Sequence, residues 1–491
     1  MNVLLVLVDS LNRADVPAYG TAEVALPNLD RLARRAFRFD NHFVGSLPCM
    51  PARRELYAGF KELLWRPWGP LEPADARLPR LVQRAGLRTA IVTDHYHYWE
   101  ESANGYLQSF QQTELVRGHE WDNWRGPVPA DEPVPAWVER IERWRPGAGR
   151  RYYANVRDFE TEEDFFPART FRAAAARLAS LRPPFFLQVE SFDVHEPFHV
   201  PEPYRSRFGD PADDDRFTLW PPYQDPDALA AFMAETTPEE LAFVRARYLA
   251  KVAMVDRWLG MLLDVLDERA LWDSTAVLFT TDHGHDLGTR GFFGKQYPHW
   301  DSHARIPLLV WHPAFPGGGR GIDALTSTVD LFATIAELAD ADAEAQHGRS
   351  LVPLLAGRSA ERDGLLYGTF GQGVCCTDGE WTLFKSPAAH GPLYAYSSLL
   401  VESRDGKGVG LPVEQGHFVP GVPLPQWRIP AEVRPRSRED FLFHRPTDPA
   451  QERNLWDDEP AQRGRMLELL RALVESEGAP PEQFERLGLQ A

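Results

Sequence analysis

Four runs of β-branched, aliphatic and aromatic residues punctuate this chain, and each leads into aspartate and, in three cases, histidine. Val3–Val8 runs into Asp9, and Thr89–Val92 into Asp94, His95 and His97. Phe185–Val189 leads to Asp193 and His195, and Ala276–Thr280 to Asp282, His283 and His285. Short, continuous apolar runs separated by helical spacing predict an α/β fold with a mostly parallel central sheet covered on both faces by helices. In such sheets ligands bind beyond the carboxyl ends of the strands. Any one of these Asp and His residues could be an ordinary cap or turn former. Four at equivalent places point to one polar site.

The intervening helices are legible by period. Pro27–Phe37 opens on a proline and sets Leu29, Leu32, Ala33 and Ala36 along one stripe. From Thr237 to Leu271 the residues Leu241, Val244, Tyr248, Val252, Val255, Leu259, Leu262 and Leu266 keep helical spacing. Thr237 with Glu240 reads as a capping box, and Pro238 suits the first helical position. Between Glu196 and Asp227 seven prolines interrupt regular structure directly after His195, which predicts an ordered loop at the rim of a site. Leu366–Gly368, Val374–Cys376 and Trp381–Lys385 read as antiparallel strands, followed by a closing helix near Ala461–Glu475. A domain boundary is expected near 365, giving a catalytic unit over 1–365 and an α+β unit over 366–491.

Composition narrows the function. The 491 residues carry a net charge of −18, which argues against a nucleic-acid or anionic-membrane partner but leaves room for a locally positive cleft and a small anionic substrate. Three cysteines, two of them adjacent (Cys375, Cys376), do not make a disulfide framework. The Val3–Val8 run is far too short to span a bilayer and lacks the basic leader of a signal peptide. A cytoplasmic location is expected, or a periplasmic one if a leader has been removed.

The densest chemistry lies in Gly45-Ser-Leu-Pro-Cys49-Met-Pro51-Ala-Arg53. Pro51 suits the first position of a helix that continues through Ala58, which would put Cys49 just ahead of a helix N-terminus. Free N–H groups, the helix dipole and Arg53 in the first turn favour negative charge there, so the Cys49 thiol is expected to gain anionic character. Cys375 and Cys376 read as small core hydrophobes.

Cys49-Met50-Pro51-Ala52-Arg53 resembles the Cys-x-Pro-x-Arg signature of type I sulfatases, in which the cysteine is oxidised to formylglycine. The resemblance extends through Asn2–Asp9, Pro27–Ala33, His195-Glu196-Pro197, Asp282-His283-Gly284, Lys295, Arg305-Ile306-Pro307 and Phe441–Leu455. It implies the alkaline-phosphatase-like superfamily: a large α/β domain with a smaller C-terminal α+β domain. It also implies a formylglycine hydrated to a geminal diol, one hydroxyl attacking sulfur and the other later expelling sulfate. By position, Asp9, Asp282, His283 and the modified Cys49 would bind a divalent metal, Ca²⁺ by family or Mn²⁺. Arg53 would hold the diol, Lys295 the sulfate oxygens, and His195 with Lys295 would protonate the leaving group. The implied partners are a small anionic ester, such as a sulfated carbohydrate, and a formylglycine-generating enzyme during maturation.

This chain departs from the family pattern at three places. Asp9 is followed by Ser10 rather than a second Asp, and His283 stands where many members have Asn. An imidazole in place of a carboxylate moves the donor set from hard oxygen toward a mixed one. That pattern resembles the phosphonate monoester and phosphodiester hydrolases of the same superfamily. The family's Gly-Lys-x-His element is replaced by Thr93-Asp94-His95-Tyr96-His97, leaving His95 and His97 as candidate substrate-binding residues, with a structural role as the alternative. Trp65, Trp68, Tyr96, Tyr98, Trp99, Trp121 and Trp124 are available to stack on a sugar or aryl group, or to pack the core and rim. A sulfatase is therefore the leading expectation and a phosphonate monoester or phosphodiester hydrolase the second. A third possibility is a non-catalytic binder of sulfated ligands with an unmodified Cys49.

Overall fold

A computed structural model describes all residues except 21–22, 101–102, 344–346, 389–390, 400–412, 434 and 491. Its main sheet has eight strands in the order Gly321–Ser327, Phe37–Phe43, Leu308–Trp311, Thr275–Thr280, Asn2–Val8, Phe185–Ser191, Arg88–Thr93 and Gln112–Leu115. Only Leu308–Trp311 runs against the others. The four apolar runs of the sequence are four consecutive strands, the fourth to the seventh in this order. All four are parallel, so their carboxyl ends lie together.

The continuous apolar character of Asn2–Val8 has a direct cause. Leu4, Val6 and Val8 enter one core, with Leu187, Val189, Val277 and Phe279. Val3, Leu5 and Leu7 enter the other, with Phe186, Ala276 and Leu278. A strand of period two that is covered on both faces needs an apolar residue at every position.

The long helix spans Pro238–Glu268, with Thr237 as N-cap accepting the Glu240 N–H at 3.2 Å. The reciprocal half of the expected capping box is not made: Glu240 Oε1 instead accepts the N–H of Thr218 at 3.2 Å, tying the proline-rich loop to the helix. This helix also pins the loops around the strand ends. Lys251 donates to the carbonyls of His195 and Pro197 at 2.7 Å each, and Tyr248 donates to the Ser10 carbonyl at 3.0 Å while accepting the Asn12 N–H at 2.8 Å. Asp256 accepts the Leu29 N–H at 2.7 Å at the start of the Pro27–Ala33 helix. That helix is shorter than its sequence stripe. Phe37 already belongs to the strand Phe37–Phe43, whose half-polar sequence gave no strand signal.

A second sheet of five strands follows, built from Phe441–His444, Trp381–Lys385, Val374–Thr377, Leu365–Thr369 and Ser46–Leu47. The predicted strands near 366, 374 and 381 are antiparallel neighbours here, and the closing helix spans Pro460–Ser476. Cys375 and Cys376 are buried in it. The edge strand Ser46–Leu47 comes from far earlier in the chain and pairs in parallel with Gly368 and Thr369, which anchors the residues just before Cys49. Among the described residues no helix is long and apolar enough to cross a membrane.

Candidate active site

Cys49 begins a helix that runs to Ala58 and ends at Gly59, whose φ of +68° suits a left-handed cap. The helix therefore starts two residues earlier than the sequence indicated, with Pro51 in its third position. Proline is tolerated there because the first turn of N–H groups has no intrahelical acceptor. The four-residue spacing from Cys49 to Arg53 puts both on one face. Arg53 Nη1 reaches back to the Cys49 carbonyl at 2.9 Å.

Arg53 is fully buried and holds three carboxylates. It pairs with Asp9 through Nη2 at 2.8 Å, with Glu190 through Nε at 2.6 Å, and with Asp282 through Nη1. Further bonds lock the strand ends together: Asp9 N–H donates to the Ser191 carbonyl at 2.9 Å, Val194 N–H to the Asp9 carbonyl at 3.0 Å, and Ser10 N–H to Asp282 Oδ1 at 3.2 Å. Ser10 sits at φ +61°. Its hydroxyl donates to Asp9 Oδ1 at 2.7 Å and accepts from Lys295 Nζ at 3.1 Å.

Asp9, Cys49, Asp282 and His283 each aim one donor atom into a common volume, all within 4.8 Å of one another. His283 Nδ1 donates to the Gly284 carbonyl at 2.9 Å, so its Nε2 lone pair faces Cys49 Sγ at 3.2 Å and Asp282 Oδ2 at 3.3 Å. Fixing the tautomer through the far nitrogen is how an imidazole is prepared for a metal. Burial, and then the facing Asp282, raise the Asp9 carboxyl to about 7. A dication held by these residues would offset that repulsion. Two oxygens, a nitrogen and a sulfur-bearing residue fit a divalent cation of mixed preference.

One electrostatic expectation is reversed. Burial, followed by Asp9, pushes the Cys49 thiol well above its ordinary value, and Lys295 and Arg53 do not offset it. Desolvation and two carboxylates thus outweigh the field of the helix terminus and disfavour the thiolate.

Lys295 and His195 lie on the same side. Lys295 is buried, 3.8 Å from Glu196 Oε2, and that carboxylate helps keep it charged although burial opposes it. His195 Nδ1 lies 2.9 Å from both the Glu196 carbonyl and Glu120 Oε1. Glu196 also accepts from His285 Nε2 at 3.0 Å. His95 is fully buried, with Nε2 3.7 Å from Asp9 Oδ2 and no hydrogen bond to either ring nitrogen among the described residues. His97 is turned toward Glu100, at 2.8 Å, with its other nitrogen 4.0 Å from Glu120.

The aromatic residues divide. Trp65 is in the core, and Tyr98 is buried with its hydroxyl on Glu190 at 3.0 Å, so neither reaches a ligand. Tyr96 is buried as well. Trp99 and Trp124 are exposed and are covered by the guanidinium groups of Arg117 and Arg125. The proline-rich loop brings in an aromatic residue that the sequence did not single out: the Tyr223 ring lies 5.5 Å from Lys295 Nζ. Glu120 and Glu190 were missed too. Glu190 had a signal, a carboxylate inside an apolar strand; Glu120 had none.

Two carboxylates, an imidazole and residue 49 meet around one point, flanked by a lysine and a histidine beyond the carboxyl ends of an α/β sheet, an arrangement with the groups that hydrolysis of an oxyanion ester requires. A sulfatase family model matches residues 1–341, and the chain belongs to that family of sulfuric ester hydrolases. It is 27% identical over 379 residues to a choline-sulfatase of Rhizobium meliloti, covering 72% of each chain. It is also 27% identical over 405 residues to a multifunctional alkaline phosphatase superfamily protein of Trinickia caryophylli, covering 72% of this chain and 77% of that one. The fold is similar to the phosphonate monoester hydrolase of Agrobacterium radiobacter, with a TM-score of 0.67 at 21% identity over 97% of this chain and 96% of that one.

Proposed function

We propose that the protein hydrolyses a sulfate monoester of a carbohydrate or aryl alcohol, with Cys49 oxidised to formylglycine by a formylglycine-generating enzyme. The observation that carries this reading is the convergence of Asp9, Asp282 and His283 on residue 49, with Arg53 bonded behind it and Lys295 close by. Residue 49 is the cysteine of the Cys-x-Pro-x-Arg segment, so the chemistry is assigned to the oxidised residue. The hydrated aldehyde would supply the attacking hydroxyl and a second hydroxyl whose deprotonation releases the sulfate. A divalent cation held by Asp9, Asp282, His283 and residue 49 would withdraw charge from the oxyanion and lower the hydrate's pKa.

The chain's own groups do the rest. Arg53 fixes the carbonyl of residue 49 and orients both aspartates. Lys295 binds an oxyanion oxygen as charge develops on it. As the ester S–O bond breaks, its electron pair passes to the leaving oxygen, which takes a proton from His195. Glu196, bonded to His285 and close to Lys295, keeps the lysine charged.

A second reading is a phosphonate monoester or phosphodiester hydrolase. Ser10 occupies the place of a second aspartate, His283 that of an asparagine, and a neutral His95 stands where a lysine would be. The loss of one carboxylate and the gain of an imidazole at the candidate metal site are what favour this reading. The test is co-expression with a formylglycine-generating enzyme, peptide mass spectrometry of residue 49, and kcat/KM on 4-nitrophenyl sulfate, bis(4-nitrophenyl) phosphate and 4-nitrophenyl phenylphosphonate. Preference for the sulfate supports the first reading and a clear preference for either phosphorus ester the second. Inactivity of metal-loaded protein carrying formylglycine would overturn both.

A further inference from the structure

We propose that Glu120 is a positioning residue that fixes the His195 ring and sustains its proton, so that His195 Nε2 serves the leaving-group oxygen. This rests on the hydrolase reading above.

The contact is specific and fully desolvated. Glu120 Oε1 lies 2.9 Å from His195 Nδ1, and both side chains are buried. The same nitrogen lies 2.9 Å from the Glu196 carbonyl. With the Glu196 carboxylate at 3.4 Å as well, the acceptors around Nδ1 require that it carry hydrogen, which leaves Nε2 as the nitrogen that exchanges a proton with substrate. Glu120, His195 and Glu196 are close enough to suggest a second cation site, but an Nδ1 that donates has no lone pair for an ion. The Phe192 ring stacks on the imidazole at 4.3 Å and prevents it from tilting out of this arrangement.

The backbone at Glu120 is built for this placement. Its φ is +43°, a left-handed conformation that non-glycine residues rarely adopt. The turn around it is held from several directions. Asp122 accepts the Gly118 N–H and Arg117 Nε, each at 2.7 Å, and its carbonyl accepts from Asn155 at 2.8 Å. One residue before Glu120, His119 Nε2 bonds Asp193 Oδ1 at 2.8 Å, two residues before His195. The two loops are thus stitched in register by adjacent pairs. Strain kept in place by surrounding bonds and aimed at a reacting group is characteristic of functional sites.

The charges around His195 agree. Burial opposes its protonation, but Glu196 and Glu120 outweigh burial and the repulsion of Lys295, and the imidazolium is favoured. Asp9, His95 and His285 also face it from the neighbouring strand ends. Burial would raise the Glu120 carboxyl, yet His195 holds it down at about 2, so it stays ionised.

The experiment compares wild type, Glu120→Gln, His195→Asn and the double variant on 4-nitrophenyl and phenyl esters of whichever oxyanion the wild type hydrolyses. A good leaving group needs little help from an acid; a poor one needs a great deal. Glu120→Gln should cut kcat for the phenyl ester about tenfold or more and for the 4-nitrophenyl ester by less than about threefold, with KM little changed. The alkaline limb of its kcat profile should move to lower pH. In the His195→Asn background the Glu120→Gln change should have no further effect. Equal losses on both leaving groups, or the same loss in both backgrounds, would overturn the assignment and leave Glu120 a structural residue, even if the variant is less stable. An inactive wild type with verified formylglycine would instead overturn the hydrolase reading, and this assignment with it.

Discussion

Glu190 Oε1 accepts a hydrogen bond from Arg53 Nε at 2.6 Å, at the far side of the guanidinium from residue 49. The arginine faces Asp9 and Asp282 with its other nitrogens. Glu190 therefore neutralises Arg53 and leaves the charge of the two aspartates for a dication. Glu190→Gln keeps the shape and a hydrogen-bond acceptor but removes that neutralisation. Divalent-metal affinity and kcat should fall by about 10–100-fold, as for other partners of metal-binding groups. Metal titration followed by thermal unfolding measures the first effect, and steady-state kinetics the second.

A divalent ion should stabilise the chain by linkage. Extensively chelated protein should unfold at lower temperature, and Mn²⁺ or Ca²⁺ at about 100 times its Kd should restore about 2.7 kcal/mol. The Asp282→Asn variant should lose most of this metal response. A thermal midpoint unmoved by either ion would count against the dication site.

Ser10 offers a direct test of the donor set. Ser10→Asp adds a carboxylate beside Asp9, at a positive φ that aspartate accepts more readily than most residues. More oxygen donors favour the harder ion. The ratio of Ca²⁺ to Mn²⁺ affinity should rise relative to wild type, as read by competition titration. The hydroxyl that accepts from Lys295 would also be lost, so KM should change even where metal is saturating.

Glu55 provides a pH signature away from the candidate metal site. Its carboxyl lies under the Ser46 N–H at 2.6 Å in a fully buried setting, and burial raises it to about 8 although Lys61 and the Ser46 N–H oppose the shift. The folded state thus binds a proton that the unfolded chain has released above about pH 4.5. Stability should fall as pH rises from about 4.5 through about 8. Glu55→Gln retains an acceptor for the Ser46 N–H and removes the titration. Its thermal midpoint should be flatter over that interval and higher than wild type near pH 8.

The sequence showed where to look because the central strands of the sheet are buried on both faces. Asn2–Val8, Phe185–Ser191 and Thr275–Thr280 announce themselves as apolar runs, and the polar residues that end them stand out by contrast. Phe37–Phe43 did not, since its Arg38, Asp40 and Asn41 make side-chain contacts where the sheet is less covered. Arg38 pairs with Asp40 at 2.7 Å, and Asn41 bonds Asp323.

What the chain alone determined is local or periodic: the parallel strands, the long helix behind them, and the Cys49–Arg53 segment at a helix start, although only the structure draws Cys49 into that helix. Tertiary structure decided the electrostatics, since a pKa depends on solvent exclusion and on charges hundreds of residues away. It placed Cys49 between Asp9 and Asp282 and disfavoured its thiolate, where a helix terminus alone favours an anion. It put Trp65 and Tyr98 in the core and withdrew them from any ligand. It also brought Glu120 to His195 across a gap of 75 positions, through a strained turn that no periodicity announces, because side chains that meet only through the packing of two loops leave no pattern along the chain.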